Sequence, residues 1–168
     1  MYATNQYNSL IYPFFIIGFK GVGGNVWVAT NQCLGGAATC VNIAERLNAQ
    51  LQQCDSEEVQ PVNSAAFSIA MNGSEARLYI SWKHDERNYY MADADCYYLR
   101  RADDYIRFRK TARNIVDWGK NDRLHSIRKS LDALIEEARK QTSREAKSRP
   151  REEEEEEEDN SKGKRARA

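Results

Sequence analysis

With 168 residues the chain is long enough for one domain with a hydrophobic core, and its formal net charge of zero conceals an uneven distribution. Residues 1–99 carry a net charge of −4, residues 100–150 of +7 and residues 151–168 of −3, so the basic residues are concentrated in one region. The cysteine and histidine spacings do not fit a zinc site. The stretch MYATNQYNSL has neither a basic segment nor a small-residue cleavage site, so we do not expect it to be a signal peptide, and the apolar run 10–19 is about half of a bilayer span. We therefore expect an intracellular protein with reduced thiols and no membrane partner.

The first predicted elements are a strand and a long helix. Residues 10–20 are rich in aromatic and β-branched side chains, which predicts a strand buried on both faces. A glycine-rich turn follows at residues 21–24. From about Val28 to Gln53 apolar residues recur every three or four positions, which predicts a helix that packs on a sheet through Ala37, Cys40, Ala44, Leu47 and Leu51.

A hairpin is predicted next, in SAAFSIAMNGSEARLYISWK. Asn72-Gly73 is a preferred pair for a tight turn in which both central residues take positive φ. The alternation of side chains predicts Trp82 in the core and places Tyr79 on the other face, where it is a weaker candidate for stacking on a nucleic acid base. A third strand is expected from about Tyr89 to Leu99.

Two amphipathic helices and a charged tail complete the chain. The first helix is expected to begin at an Asp103 N-cap and to stop at Trp118-Gly119, and the second begins near Asn121. We expect residues 1–141 to form the domain and residues 142–168 a disordered tail, in which an acidic run precedes SKGKRARA. The tail is compatible with nuclear import, and the alternative is a cytoplasmic protein with a solubilising tail. The element order predicts an α+β fold, a mixed β-sheet flanked by helices.

Lys20 closes the first strand in the stretch IYPFFIIGFKG, and this ending resembles the restriction-endonuclease-like (PD-(D/E)XK) superfamily. There an acidic residue, any residue and a lysine lie on one core strand, so that the acid and the lysine point to the same face. The resemblance implies that the acid binds Mg²⁺ and that the lysine lies near the scissile phosphate.

The sequence resembles more closely a fungal family of uncharacterised domains, in PFFIIGFKG, WVATNQCLGGAATCVNIAERLN, SAAFSIAMNGSEARLYISWK and FRKTARNIVDWG. In that family the first stretch typically contains E-F-K. Lys20 matches the motif lysine and Gln32 a glutamine that some superfamily members use near the site, but Gly18 stands in the place of the acid. The resemblance implies a truncated, degenerate nuclease-like core without the upstream elements that carry the second acid.

Carboxylates are absent from residues 1–44, and Glu45 lies far along the predicted helix. We therefore expect a catalytically inactive domain without a metal site or cofactor; Mg²⁺ is expected only for intact relatives. The alternatives are a protein interaction module with an exposed sheet edge, a non-functional gene fragment, and a metal-dependent nuclease whose gene begins upstream of Met1.

The basic helices make nucleic acid the expected partner. The nucleic-acid-binding candidates are Arg107, Arg109, Lys110 and Arg113, and the same basic region also contains Arg100, Arg101, Arg123, Arg128 and Lys129. The alternative is a solvated outer face, because aspartates are interspersed among these residues. The sequence names neither a small-molecule ligand nor an oligomeric state.

Overall fold

The computed structural model describes residues 11–21, 23–54 and 60–148, which form one mixed sheet flanked by helices. The sheet has the order β1-β2-β3-β4, in which β1 runs parallel to β2 and the other neighbours are antiparallel. The strands are β1 (Phe15–Phe19), β2 (Ala66–Met71), β3 (Glu75–Lys83) and β4 (Tyr89–Tyr98). The helices are α1 (Val26–Leu51), α2 (Ala102–Trp118) and α3 (Leu124–Ser148). The predicted α+β class is confirmed.

Helix α1 covers one face of the sheet, where it packs on β1, β2 and β3. Its N-cap is Asn25, whose side-chain oxygen accepts a hydrogen bond from the Trp27 amide at 2.8 Å. All five residues of the predicted stripe are buried. Most of the buried residues are small, as Ala29 and Cys33 are, so the helix lies close to the strands.

The opposite face holds a second core cluster around Ile69, Leu78, Tyr97 and Ile115. Tyr97 is fully buried, and its hydroxyl donates a hydrogen bond to the Thr111 hydroxyl of α2 at 3.1 Å. This hydrogen bond connects helix α2 to β4.

The α2 start differs from the predicted one. The helix begins at Ala102 and its N-cap position is Arg101, without a side-chain cap. The expected N-cap Asp103 is therefore wrong. Asp103 and Asp104 lie in the first turn instead, where carboxylates interact favourably with the helix dipole.

The hairpin turn also differs. Strands β2 and β3 are joined by three residues, and neither Asn72 nor Gly73 has positive φ. The Asn72 side-chain oxygen accepts hydrogen bonds from the amides of Ser74 and Glu75 at 2.8 and 2.9 Å. The side chain of Asn72 therefore fixes this turn, and the expected pair of positive φ values is wrong.

Strand β1 is not buried on both faces, although its apolar run predicts this. Ile17 is 56% exposed and Phe19 is 60% exposed. The cause is position: β1 is at the edge of the four-stranded sheet, and no described helix covers Ile17 and Phe19. An apolar run alone does not distinguish a central strand from an edge strand.

Helices α2 and α3 are joined by a π-helical turn, Gly119–Arg123. Gly119 keeps right-handed helical dihedrals (φ −64°, ψ −38°), so it does not stop the chain as a left-handed C-cap glycine would. A Cβ on Gly119 would overlap the ring of Phe14. The glycine is therefore needed for space and not for backbone conformation.

The remaining features concern the chain ends and the membrane. Two compact units are distinguished by their internal contacts, Met1–Ala133 with the sheet and Leu134–Ala168. Residues 142–168 are predicted to be a disordered tail, but helix α3 continues through residues 142–148, and residues 149–168 lie outside the described residues. Within the ranges that the structure describes, we find no helix with both the length and the apolar character to cross a membrane.

The buried thiol of Cys40 predicts a loss of stability at alkaline pH. Burial raises its pKa to about 11 from 9.0, with nearby Arg123 opposing the shift. Because the unfolded thiol ionises first, the stability due to the protonated thiol is complete below pH 9 and is lost as the pH rises towards 11. We expect Cys40 to contribute about 2–3 kcal/mol to this loss. Urea unfolding across this pH range measures it.

The control is Cys40→Ala, which removes the thiol at a cost in packing that does not depend on pH. Its free energy of unfolding should fall less steeply above pH 9 than that of the parent chain. Equal slopes for the two chains would contradict the assignment.

Candidate functional site

Gly18 lies on the face of β1 that α1 covers. A Cβ at this position would lie 2.9 Å from the Ala29 carbonyl oxygen and 2.9 Å from the Cys33 sulfur. The Cys33 thiol is itself held, because it donates to the Ile69 carbonyl at 3.6 Å. Strand and helix are therefore in contact here, and only glycine fits between them without a shift of the backbone.

Lys20 follows the end of β1 and lies on the same face. Its amide donates to the Met71 carbonyl at 2.9 Å, which extends the pairing of β1 with β2 by one residue. The side chain is half-buried, and its Cβ occupies the space beside Gly24, where another Cβ would come within 2.6 Å. Across the part of the chain that the structure describes, the Lys20 ammonium takes part in no ion pair.

Gln32 is exposed on α1, on the side of the helix that borders β1. Its position follows from Gly36, one turn farther along, which lies against Ile16. Among the described residues no hydrogen bond or ion pair joins Gln32 to Lys20. The two candidates from the motif are thus on the same side of the fold without a direct interaction.

A divalent cation does not fit this position. Gly18 offers no ligand atom, and the space where a carboxylate would begin is taken by the Ala29 carbonyl and the Cys33 sulfur. In residues 11–21, 23–54 and 60–148, no three His, Cys, Asp or Glu side chains come together as a metal-binding group. Hard divalent ions require several oxygen ligands, so the residues around Gly18 support no chemical step through a metal.

Three of the four nucleic-acid-binding candidates come together on α2. Arg109, Lys110 and Arg113 line one open depression with Ile106, with a volume of about 340 Å³; we call these four residues the basic patch. The spacing explains the arrangement, because residues 106, 109, 110 and 113 share one helix face. All four side chains are exposed, and the ion pairs between described residues do not include the three cations.

Arg107 is placed differently. Its guanidinium donates to Asp95 at 2.8 Å and to Asp104 at 3.1 Å, and it lies 5.4 Å from the centre of the Tyr97 ring. The Asp95 carboxylate raises the pKa of Arg107 above its usual value. Its charge is thus already paired with two carboxylates, and it does not line the basic patch.

The two aromatic residues of β3 exchange their expected places. Tyr79, the candidate for base stacking, is only 7% exposed and lies beneath α1, with its hydroxyl 3.3 Å from that of Thr30. Trp82, expected in the core, is 38% exposed and stacks on Tyr90 at a centroid distance of 6.0 Å. Both faces of the sheet are partly covered by helices, so strand alternation alone could not assign them.

Arg123 does not lie on the basic outer face, and the expectation that it does is wrong. Its residue exposure is 2%, its guanidinium lies 5.6 Å from the Phe14 ring centre and 5.8 Å from the Trp118 ring centre, and it donates to the Asn63 carbonyl. Burial lowers its pKa. Arg123 is a structural residue of the π-helical turn, which no spacing in the sequence indicates.

Comparison with known proteins gives one match. No curated protein and no solved structure is similar to this chain. The family described as "Domain of unknown function (DUF7924)" matches residues 2–131, which include the whole sheet, α1, α2 and the basic patch. Because this match extends over most of the chain, the protein belongs to the DUF7924 family, an uncharacterised domain family.

Proposed function

We propose that this domain binds nucleic acid through the basic patch and does not cleave it. The observation that carries the proposal is the grouping of Arg109, Lys110 and Arg113 in one exposed depression, while Arg107 is engaged by two aspartates. Three cations on one exposed helix face, unpaired within the described residues, can bind the phosphates of a nucleic acid backbone. Such contacts bind without reading sequence, so we expect weak, salt-dependent binding.

We also propose that the domain descends from a nuclease-like ancestor. The placement beside the PD-(D/E)XK nucleases rests on the ending of β1 at Lys20 and on the element order, and the fungal origin rests on the resemblance of the quoted stretches. In this view Lys20 occupies the place of the motif lysine, and Gly18 marks an acid that the chain does not have.

The absence of cleavage is supported by the contact at Gly18. An enzyme of this kind needs a carboxylate two residues before the lysine, and α1 occupies the volume where that side chain would begin. The same contact counts against the alternative of an active nuclease with an upstream extension, because an added segment would not by itself move α1 away from β1.

The triple variant R109Q/K110Q/R113Q tests the binding. We expect it to reduce affinity for a labelled oligonucleotide at least about tenfold at low salt, and to reduce the slope of log K against log salt by about two to three, since three phosphate contacts are lost. Fluorescence anisotropy across a salt series measures both, with single-stranded and double-stranded DNA and RNA compared.

Two controls accompany the triple variant. Arg46→Gln removes an exposed arginine of α1 and should leave the affinity unchanged. Arg107→Gln removes a guanidinium whose charge is already paired and should change affinity much less than the triple variant. A parent chain that shows no binding at low salt, or a triple variant that binds as the parent does, would refute the binding.

The cleavage part has a separate test. Incubation with Mg²⁺ or Mn²⁺ should leave single-stranded and double-stranded substrates intact. Cleavage that Lys20→Ala abolishes would refute the proposed inactivity while leaving the binding measurement untouched.

A further inference from the structure

Strand β1 leaves one edge of the sheet unpaired within the described ranges, since it neighbours only β2. Edge strands usually carry lysine, proline or a bulge that prevents pairing with another chain. The five residues of β1, FIIGF, contain none of these. Pro13 and Lys20 stand at the two ends of the strand, but between them the outward backbone donors and acceptors are unpaired in the described ranges.

Apart from Lys20 at the end of β1, the described residues that border this edge are uncharged. On the face away from α1 the edge is bordered by the exposed side chains of Ile17 and Phe19. On the other face, the side of α1 next to β1 carries Val28, Gln32 and Gly36, one turn apart from each other. Depletion of charge around an exposed apolar surface is a property of the centre of protein interfaces.

The charges of the region favour a second copy of this chain as the occupant. Residues 1–44 contain Lys20 as their one charged side chain. In an antiparallel pair centred on Ile17, the two lysines lie at opposite ends of the strands, six residues or about 20 Å apart. Self-pairing thus requires no acidic partner and brings no like charges together.

The side chains fit the same register. By the sequence of the strand, antiparallel pairing on Ile17 would place Ile17 opposite Ile17 of the second copy and Phe15 opposite Phe19, which are favourable cross-strand pairs. The arrangement is a closed two-fold dimer, in which each copy uses the same surface. It extends the four strands of each copy into one continuous sheet.

The helices leave room for this pairing. Helix α1 lies over β2 with β1 and β3 on either side, so the two α1 axes are separated by three strand spacings, about 14 Å. Packed helices approach to about 8–10 Å, so the gap has space for the side chains of Val28 and Gln32. We propose that this protein forms a two-fold dimer through antiparallel pairing of its β1 edges.

The test uses the full chain in sedimentation or light-scattering measurements. We expect a dimer at about 100 µM and its conversion to a monomer by Ile17→Lys. The matched control is Ile135→Lys, because Ile135 is similarly exposed (50%) but lies on α3 outside the basic patch, and this variant should stay dimeric. Circular dichroism verifies that both variants are folded.

A cysteine at the proposed two-fold axis gives a second, independent readout. Ile17→Cys should be crosslinked between two copies by a short bifunctional thiol-reactive reagent, since directly opposite Cβ atoms in a hydrogen-bonded antiparallel pair are about 5.5 Å apart, which is wider than a disulfide usually spans. Ile135→Cys should form no more crosslink than the parent chain, whose four cysteines give the background. The register is thereby tested as well as the oligomeric state.

Three outcomes would overturn the proposal. The first is that the full chain is found to be monomeric at this concentration. The second is that Ile17→Lys is still a dimer. The third is that Ile17→Cys forms a dimer that is not crosslinked. If removal of residues 2–10 converts a monomer into a dimer, the chain's own N-terminal segment covers the edge, and the proposal is equally wrong. The nucleic acid measurements with the basic patch are independent of all these results.

Discussion

Replacing Gly18 by glutamate is expected to unfold the domain rather than to restore a metal site. The new Cβ would lie 2.9 Å from both the Ala29 carbonyl oxygen and the Cys33 sulfur, and its carboxylate would be forced against the backbone of α1. Overpacking and the desolvated carboxylate together should reduce the free energy of unfolding by at least about 3 kcal/mol. Urea denaturation measures the stability, and titration calorimetry with Mg²⁺ and Mn²⁺ should show no binding.

Two alanine variants separate the steric contribution from the charge. Gly18→Ala carries the Cβ alone and should cost about 1–3 kcal/mol. Gly35→Ala is the control, because a Cβ there meets nothing within 4 Å, and in a helix interior it should stabilise the protein by about 0.5–1 kcal/mol. If the Gly18→Glu variant were as stable as the parent and bound metal, α1 would be able to move away from β1 at little cost in free energy. That result would support the nuclease interpretation.

Gly119→Ala is expected to be the second strongly destabilising substitution. The added methyl group would overlap the ring of Phe14, which is held in an edge-on contact with Trp118 at 5.7 Å and beneath the guanidinium of Arg123. An aromatic ring in this setting cannot move aside as a flexible side chain can, so the loss should be at least about 2 kcal/mol. Thermal and urea unfolding give the value.

The partner ring provides the control for Gly119. Phe14→Leu replaces the ring by a smaller side chain. The double variant with Gly119→Ala should therefore lose less free energy of unfolding than the two single variants lose together, by about 1 kcal/mol or more. Gly36→Ala is a second control. Its Cβ would meet the terminal methyl of Ile16 at 2.9 Å, which can rotate away, so its effect should stay within about 1 kcal/mol. Additive losses in the double variant would show that Phe14 is not the obstacle.

Local patterns located most of the fold. Helix α1 with its buried stripe, β4 and the overall α+β arrangement follow from periodicities that packing reinforces. Tertiary placement could not be found in this way. The run FIIGF looks the same at an edge as in the centre of a sheet, and the exposure of Ile17 depends on which strands and helices lie beside it.

The candidate site shows the same limit. The basic residues of α2 could be listed from the sequence, but their separation into the basic patch and the paired Arg107 depends on Asp95, which lies on another element. Arg123 belongs to the same basic region and is nevertheless buried, with its guanidinium against the rings of Phe14 and Trp118. Charge counts locate a basic region, whereas the free cations within it are determined by three-dimensional neighbours.

The contact between Gly18 and α1 has an evolutionary consequence. A glutamate at this position requires wider separation of helix and strand, which one substitution cannot supply, because the Ala29 carbonyl belongs to the backbone. In any relative that carries the acid, the two layers must therefore stand farther apart, or α1 must cross the strand along another path. The spacing of this helix and this strand therefore determines which side chains position 18 can accept.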